Sequence, residues 1–194
     1  MKETAINRSS LHIQLLGEFS VQVGGEQIPR DVWHSRRARS LVKLLALAPG
    51  HRLQREQVID ALWPESGLQA GANNFHQTLF GARRVFERAG AACLTLAEGV
   101  LSLDCAADGS LRVDVDEFEA AALRAHSEQT PAAYAAALAL YPGDLLPEDL
   151  YEEWSIPRRA SLHQTWLDLL LGLARASEAR EDYPPAVEAL KKLL

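Results

Sequence analysis

Apolar and polar positions alternate at the start of the chain. Residues Leu11 to Leu15 and Phe19 to Val23 each place every second side chain on one face, the period of a half-buried strand. Gly24 and Gly25 supply a turn after them, and Gln27 to Pro29 predicts a short third strand that the proline closes. From Ser35 the period changes. Ala38, Leu41, Val42, Leu45 and Ala48 recur at helical spacing, with Ser35 as N-cap and Pro49-Gly50 as the stop. A second helix is predicted from about Arg55 to Trp63, with Val58, Ile59 and Leu62 inward and Pro64 ending it. A third runs from about Ala70 to Arg88, anchored by Phe75, Leu79, Ala82 and Phe86. Two alternating runs around Glu98-Gly99, within Cys93 to Asp104, read as a β-hairpin.

Strands, three helices and a terminal hairpin are the sequence order of a winged helix-turn-helix. Cys105 to about residue 112, with Asp108-Gly109, reads as a connector, and the remainder is all helical. Asp116 to Ser127 carries Phe118, Ala121, Ala122 and Ala125 at helical spacing. Thr130-Pro131 is an N-cap followed by a first-turn proline, opening a helix to about Tyr141, and Pro142 to Asp144 breaks it. A long helix is expected from about Glu152 to Ala179, with Pro157 tolerated in its first turn or at a restart. A last one starts near Pro184-Pro185. Leu167, Leu170, Leu171 and Ala174 are expected to face Ala186, Ala189, Leu190 and Leu193 across the turn Arg180 to Tyr183. Such a pair resembles a helical repeat, whose faces are buried against neighbours. The expectation is therefore a longer protein, with partners or further domains beyond Leu194.

The expected organisation is a flexible N-terminus over residues 1–10, an α+β winged-helix domain over 11–104, a connector over 105–112, and an all-α domain over 113–194. Charge divides the chain near the same place. The net charge is −6, but residues 1–104 carry 12 Lys and Arg against 10 Asp and Glu, whereas residues 105–194 carry 8 against 16. Halves of opposite sign attract different partners. Compositional drift is the alternative, and charge alone does not separate the two.

The third helix holds the candidate chemistry. Opposite its apolar stripe lie Asn73, Gln77, Phe80, Gly81, Arg84 and Arg88, flanked by His76 and Arg83. Amide and guanidinium groups read base edges, Gln or Asn pairing with adenine and Arg with guanine. Asn73, Gln77, Phe80, Arg84 and Arg88 are thus the base-reading candidates. Asn73 and Asn74 are equally readable as N-terminal caps. Phe80 fits either a thymine methyl or packing on a neighbouring helix. Arg36, Arg37, Arg39 and Lys43, with His76 and Arg83, are the phosphate candidates, since phosphate contacts fix position without reading sequence. A solvated helix face is the alternative for the arginines.

Several stretches carry a family resemblance. His34 to Leu41, Asp60 to Pro64, and Asn73 to Leu79 with Arg83-Arg84 look like the OmpR-type winged-helix head of the actinobacterial antibiotic-regulatory activators, the SARP class. Val113 to Glu119 resembles the junction into their bacterial transcriptional activator domain (BTAD). Tyr141 to Pro147, then Tyr151 to Trp154 and Arg158-Arg159, resembles that domain's most recognisable stretch. The resemblance implies a third helix in the major groove of double-stranded DNA and a hairpin near the backbone or minor groove. It implies a tetratricopeptide-like second domain for protein contacts. It also makes the loop after the second helix, about Pro64 to Gly71, a candidate contact for RNA polymerase through Pro64, Glu65 and Ser66. Two departures stand out: Gly81 replaces a basic residue in the third helix, and Glu98-Gly99 forms an acidic wing tip. They point to help from a homodimer or tandem binding, or to a protein-interaction scaffold whose winged helix no longer binds DNA specifically.

Catalysis is not expected. The six histidines show no metal-ligand spacing with Cys93 and Cys105, and there is no phosphate-cradling glycine loop or Gly-x-Ser-x-Gly elbow. Asp114, Asp116, Glu117 and Glu119 read as a solvated helix start near the positive dipole. Trp154 and Trp166 read as packing residues. No cofactor or metal is implied. Met1 to Ser10 has no apolar centre, Leu41 to Ala48 is too short to cross a bilayer, and two cysteines suit a cytoplasmic protein.

Overall fold

The computed structural model describes residues 10–104, 110–181 and 183–191. Residues 1–9 of the flexible N-terminus expected over 1–10, the Cys105 to Gly109 part of the connector, the side chains of Ala186 and Leu190, and all of Leu193 lie outside the described residues. The chain is a mixed α+β protein that divides into two compact units. One comprises residues up to Gln14 and Phe19–Val113; the other comprises Leu15–Glu18 and Asp114–Leu194.

In the first unit, β1 (Leu11–Gln14), β2 (Ser20–Val23) and β3 (Glu26–Gln27) form an antiparallel run. Alternation does the sorting: Leu11, Ile13, Val21 and Val23 are buried and their neighbours are not. Three helices follow, α1 (Arg36–Leu47), α2 (Arg55–Leu62) and α3 (Leu68–Arg88). Ser35 caps α1 by accepting the Ala38 N–H, and Gln54 and Gln57 form a reciprocal box at the start of α2. Trp33 ties sheet to helices, edge-on to Phe19 at 6.3 Å and to Phe86 of α3 at 5.8 Å.

The hairpin expected around Glu98-Gly99 is β5 (Leu94–Ala97) with β6 (Val100–Leu103). Both turn residues have positive φ, 52° and 80°, as a two-residue hairpin turn of this hand requires. Two strands were not expected. β4 (Arg52–Gln54) pairs with β6, completing a second sheet in the order β4-β6-β5. β7 (Leu111–Val113) pairs parallel to β1, so that the first sheet runs β3-β2-β1-β7. Residues 111–112, expected in the connector, are therefore strand. Three-residue runs are too short to show a period, and only their partners make them strands.

The second unit contains α4 (Asp114–Glu128), α5 (Pro131–Leu138), α6 (Ile156–Glu178) and α7 (Tyr183–Lys191). Thr130 caps α5 by accepting the Ala133 N–H, and α5 ends before the expected Tyr141. Pro157 falls at the start of α6, after the short 3-10 turn Glu153–Ser155, so it marks a restart and breaks no helical hydrogen bond. Leu170, Ala174 and Ala189 form a shared α6–α7 core, with Trp166 and Leu173 against it. Leu171, expected in that core, is 37% exposed. Phe118 packs on Tyr141, whose ring stacks on Trp166 at 5.8 Å.

Leu15–Glu18 also packs within this unit. The Asp114 carboxylate accepts the N–H groups of Leu15 and Leu16 at 2.8 to 2.9 Å, and the Leu15 carbonyl accepts the Leu146 N–H. Glu119 pairs with Arg158 at 2.6 Å. These two carboxylates are structural partners, a correction to the solvated helix start expected there.

Candidate nucleic-acid interface

The candidate interface is built on α3. Its apolar stripe is fully engaged: Phe75 and Ala82 are inaccessible and Phe86 and Leu79 nearly so. With that side fixed, about 100° per residue places the opposite stripe in solvent. Asn73, Gln77, Phe80, Arg84 and Arg88 are all exposed, as is His76 beside them. From Asn73 to Arg88 the stripe runs about 22 Å at 1.5 Å per residue. The face is uncharged amide in its first half and cationic in its second, with Glu87 exposed at its edge.

The helix begins at Leu68, with Gly67 at the N-cap position, two residues earlier than the spacing predicts. Asn73 and Asn74 therefore lie more than a turn inside the helix. Their reading as caps is overturned, because only the first-turn N–H groups lack helical partners. The same shift shortens the loop after α2. Pro64 and Glu65 are exposed and Ser66 is half-buried, its N–H bonded to the Trp63 carbonyl at 3.0 Å. Phe80 is 63% exposed, so packing under a neighbouring helix is not its role. The Arg84 guanidinium lies 5.7 Å from its ring centroid. Phe80, Arg84 and Arg88 line an apolar cleft of about 160 Å³ with Val32, Ala38 and Val85.

The expected phosphate group divides. Arg36 is exposed and Arg37 half-exposed at the start of α1, where no acidic residue stands in the first turn. Arg39 is half-buried, and its Nε is buried without a hydrogen-bond partner among the described residues. Lys43 is a correction. It is 3% exposed, with Nζ 4.5 Å from the Phe19 ring centroid, and is out of reach of a phosphate. Seven residues after Arg36, it continues the same stripe of α1, but that end of the stripe runs beneath Phe19. Arg83 is half-buried and donates its Nε to the Leu94 carbonyl at 3.1 Å, joining α3 to β5. Its role in the fold had no local signal in the sequence, because the acceptor is a backbone atom.

The elements and this face define an α+β protein whose first unit presents one amide- and arginine-bearing helix to solvent. Comparison with known proteins agrees on the fold. The structure of Mycobacterium tuberculosis EmbR in complex with low affinity phosphopeptide superposes with a TM-score of 0.77 at 19% identity, over 94% of this chain and 49% of that one. The chain thus spans about half the length of that protein. No family model and no curated protein sequence matches the chain. Among the described residues, no helix is long and apolar enough to cross a membrane.

Proposed function

We propose that the chain is a sequence-specific DNA-binding transcription regulator of the SARP type, with an OmpR-type winged-helix head and a tetratricopeptide-like BTAD. The fold shared with EmbR supports the regulator class. One observation carries the DNA reading: Asn73, Gln77, Phe80, Arg84 and Arg88 are exposed together on one side of a helix whose other side is anchored. In this reading α3 lies in the major groove, whose width of about 12 Å admits a helix. Gln77 and Arg84 read base edges, and Phe80 with its apolar cleft receives a thymine methyl. Arg36 and Arg37 hold phosphates, with His76 at the groove edge. The hairpin β5–β6 approaches the backbone, with its exposed Glu98 weakening that contact, and a second copy or a tandem site compensates. The exposed Pro64 and Glu65, with Ser66, are the proposed contact with RNA polymerase, and the second unit makes the remaining protein contacts. The role is binding in the cytoplasm, not catalysis.

Selection of bound sequences from a random DNA pool, at stated salt, tests this. A defined site should emerge. Arg84→Ala should then lose about 1–3 kcal/mol on that site and relax preference at one position. Arg37→Ala should weaken all sequences alike and reduce the salt slope by about 1. Recovery of no enriched sequence, or equal effects of both variants on every sequence, would refute sequence-specific reading by α3.

A further inference from the structure

The second unit carries an exposed apolar knuckle that the roles above do not use. Between α5 and α6 the chain passes through two short 3-10 turns, Pro147–Asp149 and Glu153–Ser155. Around them Leu150 is 53% exposed, Tyr151 94% and Ile156 47%. Single exposed apolar residues are ordinary. Three within seven residues of an irregular segment, one of them an aromatic almost wholly in water, are not.

The segment is braced from beneath. Arg159 donates Nε to the Leu145 carbonyl at 2.8 Å and its second nitrogen to the carbonyls of Leu146 and Asp149 and to Ser155 Oγ, at 3.1 to 3.3 Å. Ser155, fully buried, donates Oγ to the Glu152 carbonyl at 2.8 Å. Leu146 is held at φ 46°, a left-handed conformation costly for a branched side chain. One guanidinium thus gathers the carbonyls of Leu145, Leu146 and Asp149 and the Ser155 hydroxyl while Leu150 and Tyr151 face water. Ordering that is already complete before contact lowers the cost of association.

Charge selects the occupant. Between Arg124 and Arg158 the chain contains no Lys or Arg, and Glu148 and Glu153 are exposed within the knuckle. A nucleic acid would be repelled. A second copy meeting this face about a two-fold axis would set like charges against each other. We infer that residues 147–156 form a docking surface for another protein, one offering an apolar groove rimmed by Lys and Arg. The inference rests on the reading that the second unit makes protein contacts.

The test is a random peptide library displayed on phage and selected on the intact chain, with the doubly substituted Leu150→Ser, Tyr151→Ser chain as counter-selector. Enriched peptides should combine Lys or Arg with Leu, Phe or Trp and bind the double variant at least tenfold more weakly. Tyr151→Phe should bind within twofold of the parent. Glu148→Gln with Glu153→Gln should weaken binding threefold or more at low salt and little at high salt. Hydrogen exchange should slow over residues 147–156 on binding. Both serine positions are exposed, and unchanged melting would show that the double variant folds. Peptides lacking basic residues, or insensitive to the double substitution, would overturn the inference. Protection elsewhere within 114–191 would overturn this surface and leave protein contact by the second unit standing; no peptide binding to that unit would end both. Concentration-dependent dimers in sedimentation, lost in the double variant, would make a second copy the occupant and overturn the choice of partner.

Discussion

Gly71, one turn into α3, lies so close to Ile59 of α2 that a Cβ on it would stand 2.7 Å from the Ile59 Cγ2 methyl. The α2–α3 crossing that aims the candidate reading face depends on that missing methyl. Ile59 is β-branched and stiff in a helix, so it yields poorly. Gly81, ten residues further along the same helix, has nothing within 4 Å of where a Cβ would be. The two glycines should respond to alanine with opposite signs. Gly81→Ala should stabilise by about 1 kcal/mol through helix propensity. Gly71→Ala should destabilise by about 1–2 kcal/mol, overpacking outweighing the same propensity gain. Urea denaturation of both variants checks the pair, and a gain at position 71 would contradict the crossing described here.

Lys43 separates fold from phosphate binding. Its stem is buried and its ammonium sits over the Phe19 ring. Lys43→Ala should cost about 1–3 kcal/mol of stability through lost packing and cation–π contact. The salt dependence of the proposed DNA binding should not change. A shallower salt slope in Lys43→Ala, measured by fluorescence titration, would return this residue to the phosphate-contacting set.

Arg159 should not be replaceable by lysine. Its fork serves three carbonyls and a hydroxyl at fixed angles, which a single ammonium cannot reproduce. Arg159→Lys should destabilise by about 2–3 kcal/mol, since buried acceptors are left unmatched. Limited proteolysis should then cut first within residues 145–155, and a variant as resistant as the parent would show that the brace is dispensable.

Burial pushes the Tyr141 hydroxyl well above its usual range, and its donation to Asp144 at 2.8 Å adds to the shift. The proton is held more tightly in the folded chain, so the contribution is complete below pH about 10, where the unfolded tyrosine is still protonated. It declines as pH rises through the folded value, because the unfolded chain ionises first. Tyr141→Phe should cost about 0.5–1.5 kcal/mol near pH 8. The gap from the parent should narrow by pH 11. Denaturation at the two pH values checks it; a gap that widens would reverse the sign.

Much of both units was legible because the signals are local. Ser35 and Thr130 cap the helices that they precede, Glu98-Gly99 turns the hairpin, and Pro157 opens α6. The outward stripe of α3 followed from the period of its apolar partners. The capping alternative for Asn73 and the open face of Phe80 needed the helix start and the neighbouring surface, neither of which the period contains. Lys43 was misread for the same reason: a period says which residues share a line, not where a distant aromatic ring covers that line.

Periodicity, caps and turn residues acting over a few positions determined most of the elements, their order and the two candidate faces of α3. Tertiary structure alone decided that Asp114 receives the N–H groups of Leu15 and Leu16, 99 and 98 residues away, and that β4 and β7 are strands. It also decided that Arg83 serves the hairpin and that Arg159 braces the acidic knuckle. The physical reason is common to all of these. Each rests on a hydrogen bond to a backbone group in another element or segment, beyond the reach of a local pattern, and every residue but proline offers the same backbone donor and acceptor, so no side-chain pattern marks which one will be used.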